Sequence, residues 1–289
     1  MAHVNRDHLL AHLRALEGER HYAASPQRLA DAQAYVVEQF TRSGLSVRLD
    51  EFSYLGMPVV NVVAQSPTAR DPSRVIVGAH FDTVPNTPGA DDNASGIAAM
   101  LEAARVVAAG YPEAPVEFVG FNLEEVGMVG STHYAAQLTR DGVALLGMLS
   151  LEMVGFTESK GAQRYPPFFK RFYPSVGNFI GLVANRRSTP LLRTAERAMR
   201  SVPELPVETV VLPANGWLVP ESRLSDHSPF WDAGYQALLI TDTAFLRNPH
   251  YHQPSDTVET LDVAFLEKVC QGVVEVVLAL TASTRFASQ

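Results

Sequence analysis

An α/β sandwich, a mostly parallel sheet between layers of helices, is the fold class this sequence predicts. Three observations carry it. Strand-length and helix-length segments alternate along the whole chain. The apolar run Val75-Ile76-Val77 reads as a strand buried inside a sheet. Several strands end in acidic or imidazole residues, as expected where an open α/β sheet builds a site at its strand ends.

Taken in order, Leu9, Leu10, Leu13 and Leu16 fall at helical spacing behind the capping residue Asn5. Ser25-Pro26 pairs an N-cap with a proline at the first helical position and opens a second helix, which Gly44 ends. Residues 45–52 alternate and read as a strand, with 59–64 as its partner, and 74–79 form the buried strand. The helix 95–109 turns Ile97, Met100, Leu101, Ala104 and Val107 inward. Strand 116–121, helix 131–138 and strand 144–151 follow. Residues 155–177 are rich in Pro, Phe, Tyr and Arg and show no period, which marks a functional or mobile segment. A helix over 190–201, a strand over 207–212, a short helix over 226–233, a strand over 236–241 and a long helix over 262–282 complete the chain. No repeat or linker breaks it, so one domain over 1–289 is expected.

Composition narrows the function. The chain has 289 residues, 46% of them hydrophobic, which suits a globular protein with a large core. A net charge of −8 argues against a sequence-independent nucleic-acid binder. A single cysteine, Cys270, excludes an intrachain disulfide or a cysteine-rich zinc site, and its valine neighbours place it in the core. The N-terminus lacks the pattern of a signal peptide, and no apolar run is long enough to span a bilayer. A cytoplasmic protein with no membrane or nucleic-acid partner is therefore expected, and, lacking an inserted dimerisation segment, a monomer.

The chemistry sits at four strand ends: His80 and Asp82 with Asp91 and Asp92; Glu124 and Glu125; Glu152; and His250 and His252 with Asp256. Carboxylates gathered on one edge raise one another's pKa values unless cations neutralise them. Imidazole and carboxylate together suit zinc or a similar divalent ion. Asp91, Glu125 and Glu152 with two histidines carry charge enough for two such ions sharing one carboxylate.

In order and spacing these residues resemble the M28 zinc aminopeptidases. The matching pieces are His80-Phe81-Asp82, Gly89-Ala90-Asp91-Asp92-Asn93-Ala94-Ser95-Gly96, Glu124-Glu125, Glu152, and His252-Gln253-Pro254-Ser255-Asp256-Thr257. The resemblance implies a three-layer α/β/α sandwich with a central mixed, mostly parallel sheet, and two Zn²⁺ ions, other divalent metals being possible. It implies that His80, Asp91 and Glu125 hold one ion, and that Glu152, His252 and the same Asp91 hold the second. Glu124 would be the general base, and Asp82 would accept a hydrogen bond from His80 and fix its tautomer. A cis peptide bond is expected at Asp91–Asp92. Glu152 stands where many relatives have Asp. Ser225-Asp226-His227 also fits the family and is placed near the substrate or around the ligands. The substrate implied is a peptide or aminoacyl amide.

Bland readings cover the remaining candidates. His133 reads as a helix-surface residue, His250 as a surface residue, and Trp217 and Trp231 as packing. Tyr165, Phe168, Phe169, Phe172 and Tyr173 form either a satellite core, or a lid or the wall of a side-chain pocket. Three other functions stay in view: a glutaminyl cyclase-like acyltransferase, a carboxypeptidase or amidohydrolase on the same fold, and a receptor-like relative without chemistry. The first and third predict broken ligand sets, whereas His80, Asp91, Glu125, Glu152 and His252 are all present here.

Overall fold

A computed structural model describes residues 3–69, 73–166 and 169–286, with side chains up to 282. Its centre is an eight-stranded mixed sheet flanked by helices. The strands are β1 (Ser46–Tyr54), β2 (Met57–Gln65), β3 (Arg74–His80), β4 (Val116–Phe121), β5 (Leu145–Glu152), β6 (Ile180–Asn185), β7 (Val207–Leu212) and β8 (Ala237–Thr241). They lie in the order β1-β2-β4-β3-β5-β8-β6-β7. The middle strands β4, β3, β5 and β8 are parallel, so their C-terminal ends share one edge. β1, β2 and β6 join by antiparallel pairings, while β7 runs parallel to β6.

Helices α1 (Arg6–Leu16), α2 (Pro26–Arg42), α3 (Gly96–Gly110), α5 (Thr189–Met199) and α7 (Val263–Phe286) pack on one face of the sheet. The opposite face holds α4 (Val129–Arg140) and α6 (His227–Asp232) against a smaller cluster around Phe121, Tyr134, Phe230 and Trp231. α3 is apolar almost all round because it lies under α1, α2 and α7 as well as on the sheet. Cys270 is buried in α7, as its neighbours predict. Among the described residues no helix is long and apolar enough to cross a membrane.

The structure adds a strand that the sequence reading left unassigned. Residues Ile180–Asn185 form β6, inserted between β8 and β7. The run is short and carries Gly181, so local propensity alone is weak. Pairing on both sides makes it a strand. The two tryptophans divide: Trp231 is buried and its indole N–H donates to the Ala237 carbonyl at 2.9 Å, whereas Trp217 is 63% exposed beneath the Arg223 guanidinium.

Helix α1 also carries a pH-sensitive element of stability. His12 is buried with its Nδ1 2.8 Å from the Tyr35 hydroxyl. Burial, partly opposed by Glu102, lowers its pKa from 6.5 to about 4. The unfolded chain therefore takes up this proton below pH 6.5 while the folded protein does not. The associated stability, roughly 3 kcal/mol, is complete above pH 6.5 and is lost as pH falls towards 4. Urea unfolding from pH 7 to 4.5 should show this fall, and His12→Gln should flatten it by about that amount. An unchanged slope in the variant would refute the assignment.

Candidate metal centre

The site forms where β3, β4 and β5 end together. His80 is the last residue of β3 and Glu152 the last of β5, while Glu124 and Glu125 follow β4 after a short turn. The loop after β3 returns through a wide helical turn, Ala90–Ser95, into α3. Gly89 enters that turn at φ 60°, where an added Cβ would lie 2.5 Å from the Asp92 carbonyl oxygen. Inside the turn Asp92 leaves helical values (φ −103°, ψ 91°), which separates its side-chain direction from that of Asp91.

That separation corrects the expectation for Asp91. Its carboxylate turns away from the strand-end cluster, accepting from the Gly155 N–H at 3.0 Å and the Asn248 amide at 2.7 Å. Burial and the adjoining Asp242 carboxyl push Asp91 well above the usual range. Asp92 occupies the centre instead, 3.4 Å from His80 Nε2 and 3.1 Å from His252 Nε2. The cis peptide bond likewise lies at Asp92–Asn93, one bond later than expected.

The grouping of the other candidates changes as well. Glu152 lies with His80, its Oε2 3.4 Å from Nε2, and Glu125 lies with His252, 3.3 Å from Nε2. Two sets of possible ligands result, His80/Asp92/Glu152 and Asp92/Glu125/His252, and Asp92 belongs to both. Glu124 stands beside them with Oε2 4.0 Å from His80 Nε2, and it also forms a possible set with His80 and Glu125.

The donors fit divalent cations. Among the described residues, His80 Nε2, His252 Nε2 and Glu125 Oε1 are buried and have no hydrogen-bond partner. Such atoms are costly to leave unpaired unless something binds them. Burial raises Glu124 well above its usual range, raises Glu152, and lifts Glu125 to about 7 with help from Asp92. Burial opposes protonation of the histidines, but Glu152 and Glu124 outweigh it at His80, and Asp92 and Glu125 raise His252 to about 10. The cluster therefore draws positive charge in the form of protons, and metal cations can supply that charge in their place.

A surrounding shell fixes these side chains. Asp82 lies 3.4 Å from His80 Nδ1, and its carboxylate accepts from the backbone N–H groups of Glu124 and Glu125 at 3.0 and 3.1 Å. Asp256 does the same for the other loop, accepting from the N–H groups of Asp91 and Asp92 at 2.9 and 3.1 Å. Ser225 donates to Glu152 at 2.8 Å, which accounts for part of the Ser225-Asp226-His227 motif. Asp226 is buried nearby, with burial raising it to about 7. The His227 ring is buried edge-on against Trp231, its Nε2 2.8 Å from the Ser222 carbonyl oxygen.

Sequence reading did not single out Arg20. It is 1% exposed and donates to the carbonyls of Phe81, Gly18, Pro88 and Gly89 at 2.8, 2.8, 3.0 and 2.9 Å, and to Leu16. One guanidinium thereby ties the end of α1 to both ends of the loop that follows β3. Burial lowers its pKa to about 10 against the pull of Asp82, Asp256 and Asp92. Nothing in the local sequence distinguishes it from a surface arginine. His133 stacks on Phe52 and His250 makes a 2.8 Å hydrogen bond with Ser255, so neither joins the cluster.

A cavity of about 150 Å³ opens beside Glu152. Tyr165, Phe169 and Tyr173 form one wall, so this part of the 155–177 segment is the side of a pocket; Phe168 lies outside the described residues. Phe172 points outward and is 78% exposed. Phe245 and Tyr251 close the other side, and Tyr251 stacks on His252 with ring centroids 3.8 Å apart.

Residues 61–277 match the sequence pattern of peptidase family M28. The Escherichia coli K12 protein YfbL is 36% identical over 255 residues, covering 83% of this chain and 77% of its own length. Among solved structures, a zinc aminopeptidase from Bacillus subtilis is 25% identical with a TM-score of 0.57, and the match covers 78% of this chain and 51% of that one. The glutaminyl cyclase of Macrostomum lignano shares the fold at 17% identity, with a TM-score of 0.73 and coverage of 96% and 90%.

Proposed function

Because the chain belongs to peptidase family M28, we propose that it is a metallo-aminopeptidase releasing the N-terminal residue of a peptide or aminoacyl amide. The observation that carries this reading is the pair of possible ligand sets joined at Asp92 beside a side-chain pocket. His80, Asp92 and Glu152 would hold one zinc ion, and Asp92, Glu125 and His252 the other. Two zinc ions sharing one carboxylate lower the pKa of a water and polarise a carbonyl.

The chain's own groups do the rest. Glu124 is the one carboxylate of the cluster outside the two Asp92-centred sets, and it serves as general base. It takes the proton from the attacking water and returns it to the leaving amine. Asp82 keeps Glu124 in reach by holding its backbone N–H. Asp256 holds Asp92, and Ser225 orients Glu152. The pocket receives the side chain of the released residue, because Glu152, one of the proposed ligands, lines it. The complete double set favours peptide hydrolysis over the single-zinc acyl transfer of a cyclase.

Hydrolysis of aminoacyl-p-nitroanilides and their N-acetylated counterparts, before and after chelation, tests the reading. Free-amine substrates alone should be cleaved, with activity lost on chelation and restored by zinc. Cleavage of the acetylated set instead, or full activity in chelator, would overturn it.

A further inference from the structure

The pocket carries a charge that the hydrolysis of an N-terminal peptide bond does not require. Glu152, Thr241, Gly181 and Glu208 are register partners across four neighbouring strands, β5, β8, β6 and β7. All four line the cavity. Three strand spacings of about 4.8 Å put Glu208 roughly 14 Å along the row from Glu152. Gly181 puts no side chain into the middle of the row, and a Cβ there would crowd the Thr241 carbonyl oxygen at 3.2 Å. The result is a trough that begins at the metal cluster and ends at a carboxylate.

Its walls are aromatic and held in place. The Tyr165 hydroxyl donates to the Pro174 carbonyl at 2.6 Å and that of Tyr173 to the Thr209 carbonyl at 2.8 Å, and the two rings stack 5.7 Å apart. With those hydroxyls engaged by backbone, the rings offer faces and edges to an occupant. The charged residues lining the cavity are Glu152, Glu208 and Glu221, all acidic. The nearby Arg247 guanidinium stacks against the Phe179 ring at 4.5 Å and is bound to Gln163 and the Phe156 carbonyl. Among the described residues no ion pair involves the Glu208 carboxylate.

We propose that Glu208 makes this trough selective for a released residue with a long cationic side chain, lysine or arginine. The inference rests on the aminopeptidase reading of the site. The stem of such a side chain lies between Tyr165, Phe169 and Tyr173, and its charged end reaches Glu208. Aromatic faces attract cations as well as apolar stems. A purely apolar side chain of the same length would strip water from Glu208 and leave it unpaired, which disfavours that substrate. The four-carbon stem of lysine spans the part of the row beyond the reacting carbonyl that Gly181 leaves open.

The test compares lysyl-, arginyl-, norleucyl- and leucyl-p-nitroanilides on the zinc-loaded protein, because norleucine keeps the stem and lacks the ammonium. kcat/KM for lysine and arginine should exceed that for norleucine by about 10-fold or more. Glu208→Gln should collapse the lysine-to-norleucine ratio by about the same factor, and Glu208→Lys should invert it, each variant's fold being checked by its thermal melt. Norleucine or leucine leading in the parent, or an unchanged ratio in both variants, would overturn the proposal while leaving the aminopeptidase reading intact. No cleavage of any of the four would overturn both.

Discussion

Glu124→Gln should bind its metal ions and turn substrate over about 10³-fold more slowly than the parent. The amide has the shape of the carboxylate but cannot accept the proton of the attacking water. Its backbone N–H remains held by Asp82 at 3.0 Å, so the side chain should keep its place. Elemental analysis and kcat measured on one preparation separate the possibilities. Retained metal with lost turnover supports a general base. Lost metal would instead make Glu124 a ligand, consistent with its position beside His80 and Glu125. Turnover equal to that of the parent would remove it from the mechanism.

Asp92→Asn and Asp91→Asn should differ sharply although the residues are neighbours. Asp92 belongs to both possible ligand sets, so under the proposed function its loss should weaken metal binding by about 100-fold. The Asp91 carboxylate instead anchors the Gly155 N–H and the Asn248 amide. Its amide variant keeps the ligand sets and disturbs these buried hydrogen bonds, at about 1–3 kcal/mol of stability. Metal titration of the apoprotein and urea unfolding of both variants decide the matter. Metal loss confined to Asp91→Asn would restore the assignment that the sequence suggested.

That contrast also shows where sequence reading ends. The motif Gly89-Ala90-Asp91-Asp92 announces a carboxylate from this loop but not which one, because adjacent side chains diverge according to backbone angles. The break from helical geometry at Asp92 decides it. His80, Glu125, Glu152 and His252 were all legible as strand-end or loop residues, yet their partners were not. Which histidine meets which glutamate depends on the sheet order β4-β3-β5, where β3 lies between its two neighbours although it precedes both in the chain.

β6 was missed for a related reason. Its sequence is too short and too interrupted to declare a strand, and β8 and β7 supply the pairing that makes it one. Glu208 stands in a strand that sequence reading found, but only register across β6 and β8 aligns it with Glu152. Arg20 and Asp256 likewise act through backbone groups distant in the chain, which composition and spacing do not encode.

By itself, then, the sequence determined the α/β class, the strand ends that carry chemistry, and the residue types gathered there. Those follow from local periodicity and from the strand-to-loop pattern, both of which are short-range. Tertiary structure alone decided the shared carboxylate, the partnering of histidines with glutamates, and the pocket that ends at Glu208. Each depends on strand order, register and the turn of one loop, and these are fixed only when the whole sheet closes around its core.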